Sequence, residues 1–419
     1  VLELLWTLTL GYKVVLQGNV RDLAGVETTS ERKSLDFSLF YFGNASGKDS
    51  LEDKYQLLLD GAHYGDENGY SAIWTPERHF HEFGGLYPNP SVLGAALAVS
   101  THRIGIRAGS VVVPLQDPLR IAEEWSVVDN LSSGRAGIAC ATGWQSNDFV
   151  LQPANYKNRH QVMYESIETI KKLWEGGSVL LVDGNGTEKA TQIFPRPIQK
   201  QLPMWITSAG NIETFRSAGK LGLNVLTHLL GETVEGLATK IKAYREAYEE
   251  SGHQKGKGKV ALMIHTYIDE DIESVHRKAR GPFIDYLKTS VGLIKNLADS
   301  LGVDMNSSAF TEKDMEDLLS YSYNRYVSSA SLIGTSKDCF KMLELLSIIG
   351  VDEIACLIDF GVDSSSVLKS LERVTVLKSK YNDIKQDEQK DDYSLLRQLS
   401  RHHVTHLQST PSLIKLLIG

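Results

Sequence analysis

The chain of 419 residues is long enough for one large domain or for two or three domains of ordinary size. Its hydrophobic content of 42%, charged content of 23% and net charge of −8 indicate a globular protein with no general attraction for nucleic acid or anionic membranes. The three cysteines, Cys140, Cys339 and Cys356, are too widely spaced for a zinc ribbon or a disulfide framework, and they favour a reducing, cytoplasmic setting.

The first segment of the chain, VLELLWTLTLGYKVVLQG, is apolar but has neither the basic start nor the small-residue cleavage site of a signal peptide. No apolar run in the chain approaches the roughly 18 residues of a transmembrane helix. The chain also lacks an initiator Met, so we expect it to have been cut from a longer polypeptide. Residues 19–34 predict a linker.

From Leu35 onwards, predicted strands and helices alternate. Most of the strands are nearly continuous apolar runs, which is typical of parallel strands buried on both faces. Eight such pairs predict an α/β fold, a TIM (β/α)8 barrel with insertions, with a doubly wound open sheet as the alternative. The eight predicted strands lie near residues 36–42, 72–75, 104–113, 136–141, 204–208, 223–227, 259–267 and 353–359.

Three stretches interrupt the alternation. Residues 178–199 contain two β-like runs about a Gly/Asn turn, so they predict a hairpin inserted after the fourth strand. Residues 290–330 are polar and weakly periodic, and we expect a long excursion where a barrel enzyme places a lid. Residues 378–394 are highly charged and predict a second linker.

The segment WTPERHFHEFGG, residues 74–85, directly follows the second predicted strand and therefore lies at the carboxyl end of the barrel, where active sites are built. His79 and His81 could both bind a metal, but no other group of ligands at suitable spacing supports a metal site. Acid–base chemistry is the stronger interpretation, because Glu77 and Arg78 can fix the tautomer of a neighbouring histidine. A purely structural histidine bonded to barrel backbone is the other alternative.

The pattern that extends from this segment resembles the luciferase-like flavin monooxygenases, and its closest subgroup is the one associated with natural-product assembly lines. The resemblance runs from about Leu35 to Gly361 and implies a barrel that binds FMN. The residues that carry it are Trp74, Glu77, His79, Phe80, Phe83, Gly84, Asn89, Pro90, Pro114, Pro118, Arg120, Asp129, Ser132, Gly134 and Arg135.

Three segments are predicted to hold the flavin. The phosphate needs backbone N–H groups at a helix N-terminus with small side chains, which TSAGNIET supplies through Ser208, Ala209, Gly210, Asn211 and Thr214. The ring needs close backbone approach, and the resemblance implies a cis peptide between Gly109 and Ser110. After the fourth strand, Thr142 can bond the ring, Gly143 permits its approach and Trp144 can wall it.

Two residues on the predicted helix after the fourth strand are less specific indications of a cofactor site. Arg159 either contacts the phosphate region or pairs on the helix surface, and we include it among the predicted cofactor-binding residues. For Glu165 we favour the surface pair.

The chain departs from bacterial luciferases at Arg78, where that family has the first of two adjacent histidines, and at Thr142, where it has an arginine. A guanidinium cannot act as a general base, so the proton-transfer role passes to His79, with Glu77 as its orienting group. Arg78 could stabilise an anion or hold a substrate carboxyl, carbonyl or phosphopantetheine group. Four further side chains are predicted to line the substrate pocket: Phe80, His81, Phe83 and Tyr87.

The two ends of the chain resemble halves of one segment in the adenylation domains of nonribosomal peptide synthetases. ELLWTLTLGYKVVL lies near the start and VTHLQSTPS at residues 404–412. The resemblance implies an adenylation-domain stub and linker at 1–30, the monooxygenase barrel at 31–380, and a linker and second stub at 381–419. Ordinary terminal helices that pack on the barrel are the alternative.

Together these resemblances imply a reduced-FMN-dependent monooxygenase that uses dioxygen, binds no metal, and hydroxylates an amino acid tethered to a carrier protein beside the host adenylation domain. Hydroxylation at Cα of glycine, with release of a terminal amide, is our first expectation, and N-hydroxylation or side-chain oxidation the second. No G-x-G-x-x-G follows a strand, so a separate flavin reductase is expected to supply the reduced FMN. A deazaflavin-dependent hydride-transfer enzyme and a non-catalytic spacer are the alternatives. The sequence does not reveal the oligomeric state, for which a homodimer is one possibility.

Overall fold

The computed structural model describes residues 33–43, 54–81, 84–208, 210–288 and 311–390. The predicted adenylation-domain segments lie outside the described residues, apart from 381–390. Phe83, Ala209 and the first part of the predicted 290–330 excursion are outside them as well.

The described residues form eleven strands and ten helices, each numbered in chain order. The strands are β1 (Asp36–Phe40), β2 (Ala72–Thr75), β3 (Gly105–Val112), β4 (Ala136–Ala141), β5 (Val179–Val182), β6 (Glu188–Thr191), β7 (Met204–Thr207), β8 (Asn224–His228), β9 (Val260–Asp269), β10 (Leu332–Thr335) and β11 (Glu353–Leu357). The helices are α1 (Gln56–Glu67), α2 (Pro90–Ser100), α3 (Pro118–Leu131), α4 (Arg159–Trp174), α5 (Ile212–Lys220), α6 (Val234–Glu250), α7 (Ile272–Lys288), α8 (Glu312–Ser329), α9 (Ser336–Ile348) and α10 (Ser364–Lys390).

Eight of the strands close into a parallel barrel in the order β1, β2, β3, β4, β7, β8, β9 and β11. Closure comes from β9, which pairs with β8 on one side and β11 on the other, while β11 pairs with β1. The predicted TIM barrel is confirmed, and the open doubly wound sheet is wrong. The eight predicted strands correspond to these eight, with ends that are identical or differ by at most two residues.

Local sequence explains where the helices begin. The Asn89 side chain accepts hydrogen bonds from the backbone N–H groups of Ser91 and Val92, so α2 starts immediately after it. Asp117 caps α3 in the same way, and Pro118 occupies the first helical position, where its missing N–H costs nothing. These caps turn the chain back along the outside of the barrel after each strand.

The interior of the barrel contains a buried ion pair between two tryptophans. Glu353 at the start of β11 accepts hydrogen bonds from Arg107 of β3 at 2.8 and 3.0 Å and from the indole of Trp74 at 3.1 Å. The Arg107 guanidinium lies 4.9 Å from the Trp74 ring and 4.6 Å from the Trp205 ring. Because β11 and β3 are not neighbours in the barrel, the contacts between Glu353 and Arg107 cross its inside and join opposite walls.

Several residues of the resemblance motif stabilise the opposite end of the barrel from the predicted site. The Arg135 guanidinium donates to the carbonyls of Ala98, Thr101 and Ile104, just before β3 begins. The Asp129 carboxylate accepts from the backbone N–H groups that precede β7, at 2.7 and 2.9 Å. This part of the motif therefore maintains the fold.

Outside the barrel, the structure confirms one prediction and adds detail to another. The predicted hairpin is present as the antiparallel pair β5 and β6. The described second part of the predicted 290–330 excursion is helical: α8 occupies Glu312–Ser329 and is fixed by a capping box from Thr311 and Asp314. The additional strand β10 was not predicted. It pairs with the last four residues of β9, beyond the closed part of the barrel.

The charged stretch at 378–390, predicted as linker, is also different in the structure. It continues α10, which runs to Lys390, so the predicted boundary at residue 380 falls inside this helix. High charge alone does not end a helix when the residues are good helix formers, as the Lys, Gln and Glu of this stretch are.

Candidate active site

The predicted site residues come together at the carboxyl ends of the barrel strands. The segment after β2 provides Glu77 to His81, the end of β3 provides Ser110, and the segment after β4 provides Thr142 to Trp144. The turn between β7 and α5 provides Ser208, Gly210 and Asn211. Four consecutive barrel strands thus place chemically active side chains at one end of the barrel.

Glu77 and His79 form a hydrogen-bonded pair. One Glu77 oxygen, Oε1, lies 3.0 Å from Nε2 of His79 and accepts from Gln116 at 2.7 Å, while Oε2 accepts from the Val112 backbone N–H at 2.6 Å. The Glu77 side chain is buried and the His79 side chain is 13% exposed. Glu77 is therefore held by three partners from two segments, and it fixes the orientation of an imidazole that solvent and a ligand can still reach.

Arg78 is buried beside this pair. Its guanidinium lies 4.9 Å from the ring of Trp144, which is exposed to solvent on its other face. Among the described residues, neither Nε nor Nη1 of Arg78 has a hydrogen-bond partner. Burial lowers the pKa of Arg78, and the buried Asp148 carboxylate only partly opposes that effect.

Asp148 responds to the same surroundings. Burial raises the pKa of its carboxyl group, while the positive charges of Arg78, His79 and His81 act in the opposite direction. Sequence patterns gave no reason to select Asp148, because it follows the fourth strand by several residues and belongs to no recognisable motif.

The peptide between Gly109 and Ser110 is cis, as the resemblance implied. The Ser110 hydroxyl lies 2.6 Å from the Thr207 hydroxyl at the end of β7. Gly143 has a φ of +75°, and a methyl group placed on it would meet Val112 and Phe149 at 2.8–2.9 Å, so only glycine fits this turn. These positions put small groups and bare backbone at one edge of the mouth.

The turn before α5 has the form expected of an anion site. Asn211 caps α5 by accepting from the backbone N–H of Glu213 at 2.9 Å, and Gly210 beside it carries no side chain. A methyl group placed on Gly210 would lie 3.6 Å from Nζ of Lys240, which forms an ion pair with Glu232. Lys240 was not predicted; as a lone lysine inside a helix it gave no sequence signal.

The other residues predicted for the site have surroundings that tie them less directly to the mouth of the barrel. Phe80 and His81 are exposed, and Phe80 has a φ of +53°. Tyr87 is buried and its hydroxyl donates to Asp359 at 3.3 Å. Arg159 donates to the carbonyl of its neighbour Tyr156 and lies over that ring, with no described contact to the turn before α5. Glu165 accepts from Gln161 on the helix surface.

Three acidic or basic residues at the mouth were missed: His228, His265 and Asp359. The register of β8 with β9 puts His228 on the inner side of the barrel, and the register of β9 with β11 does the same for His265. Burial lowers the pKa of His228 to about 4 and that of His265 to about 3, so both imidazoles are neutral. Nε2 of His265 has no partner among the described residues, and aromatic rings of Phe283, Tyr286 and Phe360 surround it.

Asp359, just after β11, is partly buried. It accepts from the backbone N–H groups of Phe42 and Gly43 at 2.7 and 2.6 Å, which ties the ends of β1 and β11 together. Burial raises its pKa to about 6 despite these donors. Its position at the end of a predicted strand was the signal that could have identified it, and His228 directly follows another predicted strand.

Two general features of the described residues complete the chemical description. No group of three or more His, Cys, Asp or Glu side chains within them is arranged to hold a metal ion. Within the same part of the chain, no helix is long and apolar enough to cross a membrane.

Comparison with known proteins gives a consistent result. The model of a family described as luciferase-like monooxygenase matches residues 35–353. The chain is 26% identical over 362 residues to a flavin-dependent trigonelline monooxygenase, oxygenase component, from Acinetobacter baylyi, covering 81% of this chain and 93% of the relative. It is 23% identical over 302 residues to an alkanal monooxygenase alpha chain from Photorhabdus luminescens, covering 70% and 82%.

A solved structure shows the same fold. The oxygenating constituent of 3,6-diketocamphane monooxygenase from Pseudomonas putida, in complex with FMN, superposes with a TM-score of 0.66 at 16% sequence identity. The alignment covers 83% of this chain and 98% of that one.

Proposed function

The chain belongs to the luciferase-like monooxygenase family and is a flavin-dependent monooxygenase, and from this premise we propose that it is the oxygenase component of a two-component system that uses reduced FMN and dioxygen. A separate reductase supplies the reduced FMN. The words "oxygenase component" in the description of the Acinetobacter relative support this division of labour.

The residues at the mouth fit FMN. The phosphate fits the turn before α5, where the bare backbone of Gly210 and the positive end of the helix dipole favour an anion and the Ser208 hydroxyl lies 3.5 Å from the Asn211 carbonyl oxygen. The ring fits the edge formed by Ser110, Gly143 and Trp144, where backbone is accessible and an indole supplies a flat wall. When bound, reduced FMN supplies the electrons that activate dioxygen.

The hydrogen-bonded pair of Glu77 and His79 is the observation that carries the catalytic proposal. Glu77 holds the imidazole through Nε2, so His79 can move a proton at the substrate through its other ring nitrogen. Trp144 and the aromatic rings of α7 limit the access of water to the mouth. Thr142 and Arg159 are secondary candidates for contacts with the cofactor.

For the substrate we propose an amino acid tethered to a carrier protein, hydroxylated at Cα, with glycine first. The support is the resemblance of residues 1–18 and 392–419 to a synthetase adenylation domain. One oxygen atom enters the Cα–H bond, the other leaves as water, and reduced FMN provides two electrons. The hydroxylated carbon then loses its bond to nitrogen, becomes an aldehyde carbon, and releases the nitrogen as a terminal amide.

The test is a mass measurement on loaded carrier protein. Carrier domains bearing glycine or other aminoacyl and peptidyl groups are incubated with the protein, reduced FMN and air. The expected result is a gain of one oxygen atom or release of an amide, and the position of the label from ¹⁸O₂ separates Cα from nitrogen or side-chain oxidation. Loaded carriers that all remain unchanged would refute the tethered substrate.

The same assay separates the two rival functions. A hydride-transfer enzyme that uses reduced deazaflavin would not transfer oxygen from ¹⁸O₂ to the substrate with reduced FMN. A non-catalytic spacer would bind no flavin while its barrel remained folded, as circular dichroism would show. Incorporation of ¹⁸O into the substrate that depends on both reduced FMN and the protein excludes both.

A further inference from the structure

The mouth of the barrel contains one cation whose hydrogen-bonding capacity is unused. Arg78 is 5% exposed, and its Nε and Nη1 atoms have no partner within the described part of the chain. Buried donors in native proteins are almost always bonded, and an exception calls for a partner that arrives later. A guanidinium has donors only and stays charged, so that partner must supply acceptor oxygens.

No described side chain is available to fill this role. Both oxygens of Glu77 are already bonded to Val112, Gln116 and His79. Asp148 influences Arg78 electrostatically, but the two form no ion pair among the described residues. Burial is accordingly the main influence on the Arg78 pKa and lowers it, which is the behaviour of a cation without a close anion.

The position of Arg78 separates it from the predicted phosphate site. Arg78 follows β2, whereas the turn before α5 follows β7, with β3 and β4 between them in the barrel. The ring of Trp144 lies 4.9 Å from the guanidinium, and the enclosed Nε and Nη1 atoms have no partner among the described residues. His79, the proposed proton-transfer residue, is its immediate neighbour in the chain.

We propose that Arg78 binds the acyl oxygen of the substrate, the carbonyl or carboxylate oxygen on the carbon next to the one that is oxidised. The proposal rests on the proposed monooxygenase function and defines its substrate class: a compound with an acyl group adjacent to the reacting carbon. A thioester on a carrier and a free acid both offer this oxygen. Arg78 thereby positions the reacting carbon beside His79 and the flavin edge.

The test measures ligand binding by calorimetry to protein loaded with oxidised FMN. Three probes are used: glycyl pantetheine thioester, free glycine, and the 2-aminoethyl pantetheine thioether, which lacks the acyl oxygen. The variants are Arg78→Gln, Arg78→Lys and, as a matched control, Arg103→Gln, an exposed arginine just before β3 at the other end of the barrel.

We expect the wild-type protein to bind at least one acyl probe about tenfold or more tightly than the thioether, because hydrogen bonds to a charged group are among the strongest in proteins. Arg78→Gln should remove that preference, Arg78→Lys should keep part of it, and Arg103→Gln should keep all of it. Preference for the thioester identifies the tethered source, and preference for glycine identifies the free acid.

The proposal is overturned if wild-type protein binds no probe, if it binds acyl and thioether probes equally, or if Arg78→Gln keeps the preference. FMN binding is measured first on wild-type protein without probes, and its absence refutes the flavin-dependent monooxygenase function instead. Thermal unfolding gives a second readout. Loss of an unpaired buried cation should leave the melting temperature of Arg78→Gln unchanged or higher, whereas a structural arginine would lower it.

Discussion

At the scale of single residues, burial sets the chemistry of the mouth more than sequence neighbours do. His228 and His265 are kept neutral by their enclosure, whereas Asp359 is partly buried and tied to two backbone donors. A carboxyl group in such a position resists ionisation because its charge loses contact with water. The effect can be measured as a dependence of stability on pH.

We predict that the stability of Asp359→Asn relative to wild-type protein increases as pH rises from 5 to 7.5. The folded-state pKa of Asp359 is about 6, above the usual 3.8. Ionisation therefore costs the wild-type folded state its full free energy above pH 6. It costs nothing at low pH, where Asp359 is protonated in both the folded and the unfolded state. Asn cannot ionise. The difference should grow by about 1.4 kcal/mol across this range.

Urea unfolding of both proteins at several pH values measures this difference. The substitution also removes one acceptor oxygen of Asp359, which adds a cost that does not vary with pH. Only the change of the stability difference with pH is therefore diagnostic. A difference that stays flat between pH 5 and 7.5 would show that Asp359 is already ionised throughout. The histidines do not interfere, because both proteins contain them and their contribution to the pH dependence cancels in the difference.

At the scale of elements, the start of α5 combines a structural cap with the proposed phosphate site. The Asn211 side chain accepts a hydrogen bond from the Glu213 N–H and its backbone carbonyl accepts one from the Thr214 N–H, so a ligand would be held by the N–H groups that come before these in the turn. Few caps in the chain have a glycine directly before them, as Gly210 stands before Asn211. The helix dipole adds to the attraction for an anion at this end.

We predict that Asn211→Ala lowers the affinity for FMN about tenfold and leaves that for riboflavin, which has no phosphate, within about twofold. Fluorescence titration with both flavins measures the two constants. Thr311→Ala, which removes the cap of α8, is the control: it should cost a similar ~1 kcal/mol of stability without changing the preference for FMN. Equal losses for both flavins would place the phosphate elsewhere.

At the scale of the whole molecule, the buried pair of Glu353 and Arg107 connects opposite walls of the barrel. Burial opposes the ionisation of Glu353, but Arg107 and hydrogen bonds from Ser38, Arg107 and Trp74 outweigh it and hold its pKa below the usual range. Both charges are therefore present in the folded state. Removing one partner would leave the other charged and enclosed between two indole rings.

We predict that Glu353→Ala lowers the free energy of unfolding by about 3–5 kcal/mol, the cost of an uncompensated buried charge. Chemical denaturation monitored by tryptophan fluorescence provides the measurement. Glu372→Gln, on the exposed side of α10, should change stability by less than about 0.5 kcal/mol. If Glu353→Ala cost no more than this control, the pair would make no net contribution to folding.

The amino-acid sequence by itself determined the barrel and the segments that form its mouth. Buried parallel strands are continuous apolar runs, and their carboxyl ends meet at one end of a barrel, so Glu77, Ser110, Trp144 and Ser208 could be brought together without coordinates. Local signals such as Pro118 after Asp117 also sufficed for helix starts. These features depend on neighbours along the chain.

Only the tertiary structure decided which charges are buried and which are paired. The sequence singled out Arg78 as a departure from bacterial luciferases, but its unpaired state became visible only when the Trp144 ring and the bonds of Glu77 were in place. The Glu353–Arg107 pair and the enclosure of His265 join strands far apart in sequence. Burial and pairing depend on atoms that folding brings together from distant segments, and no local pattern records them.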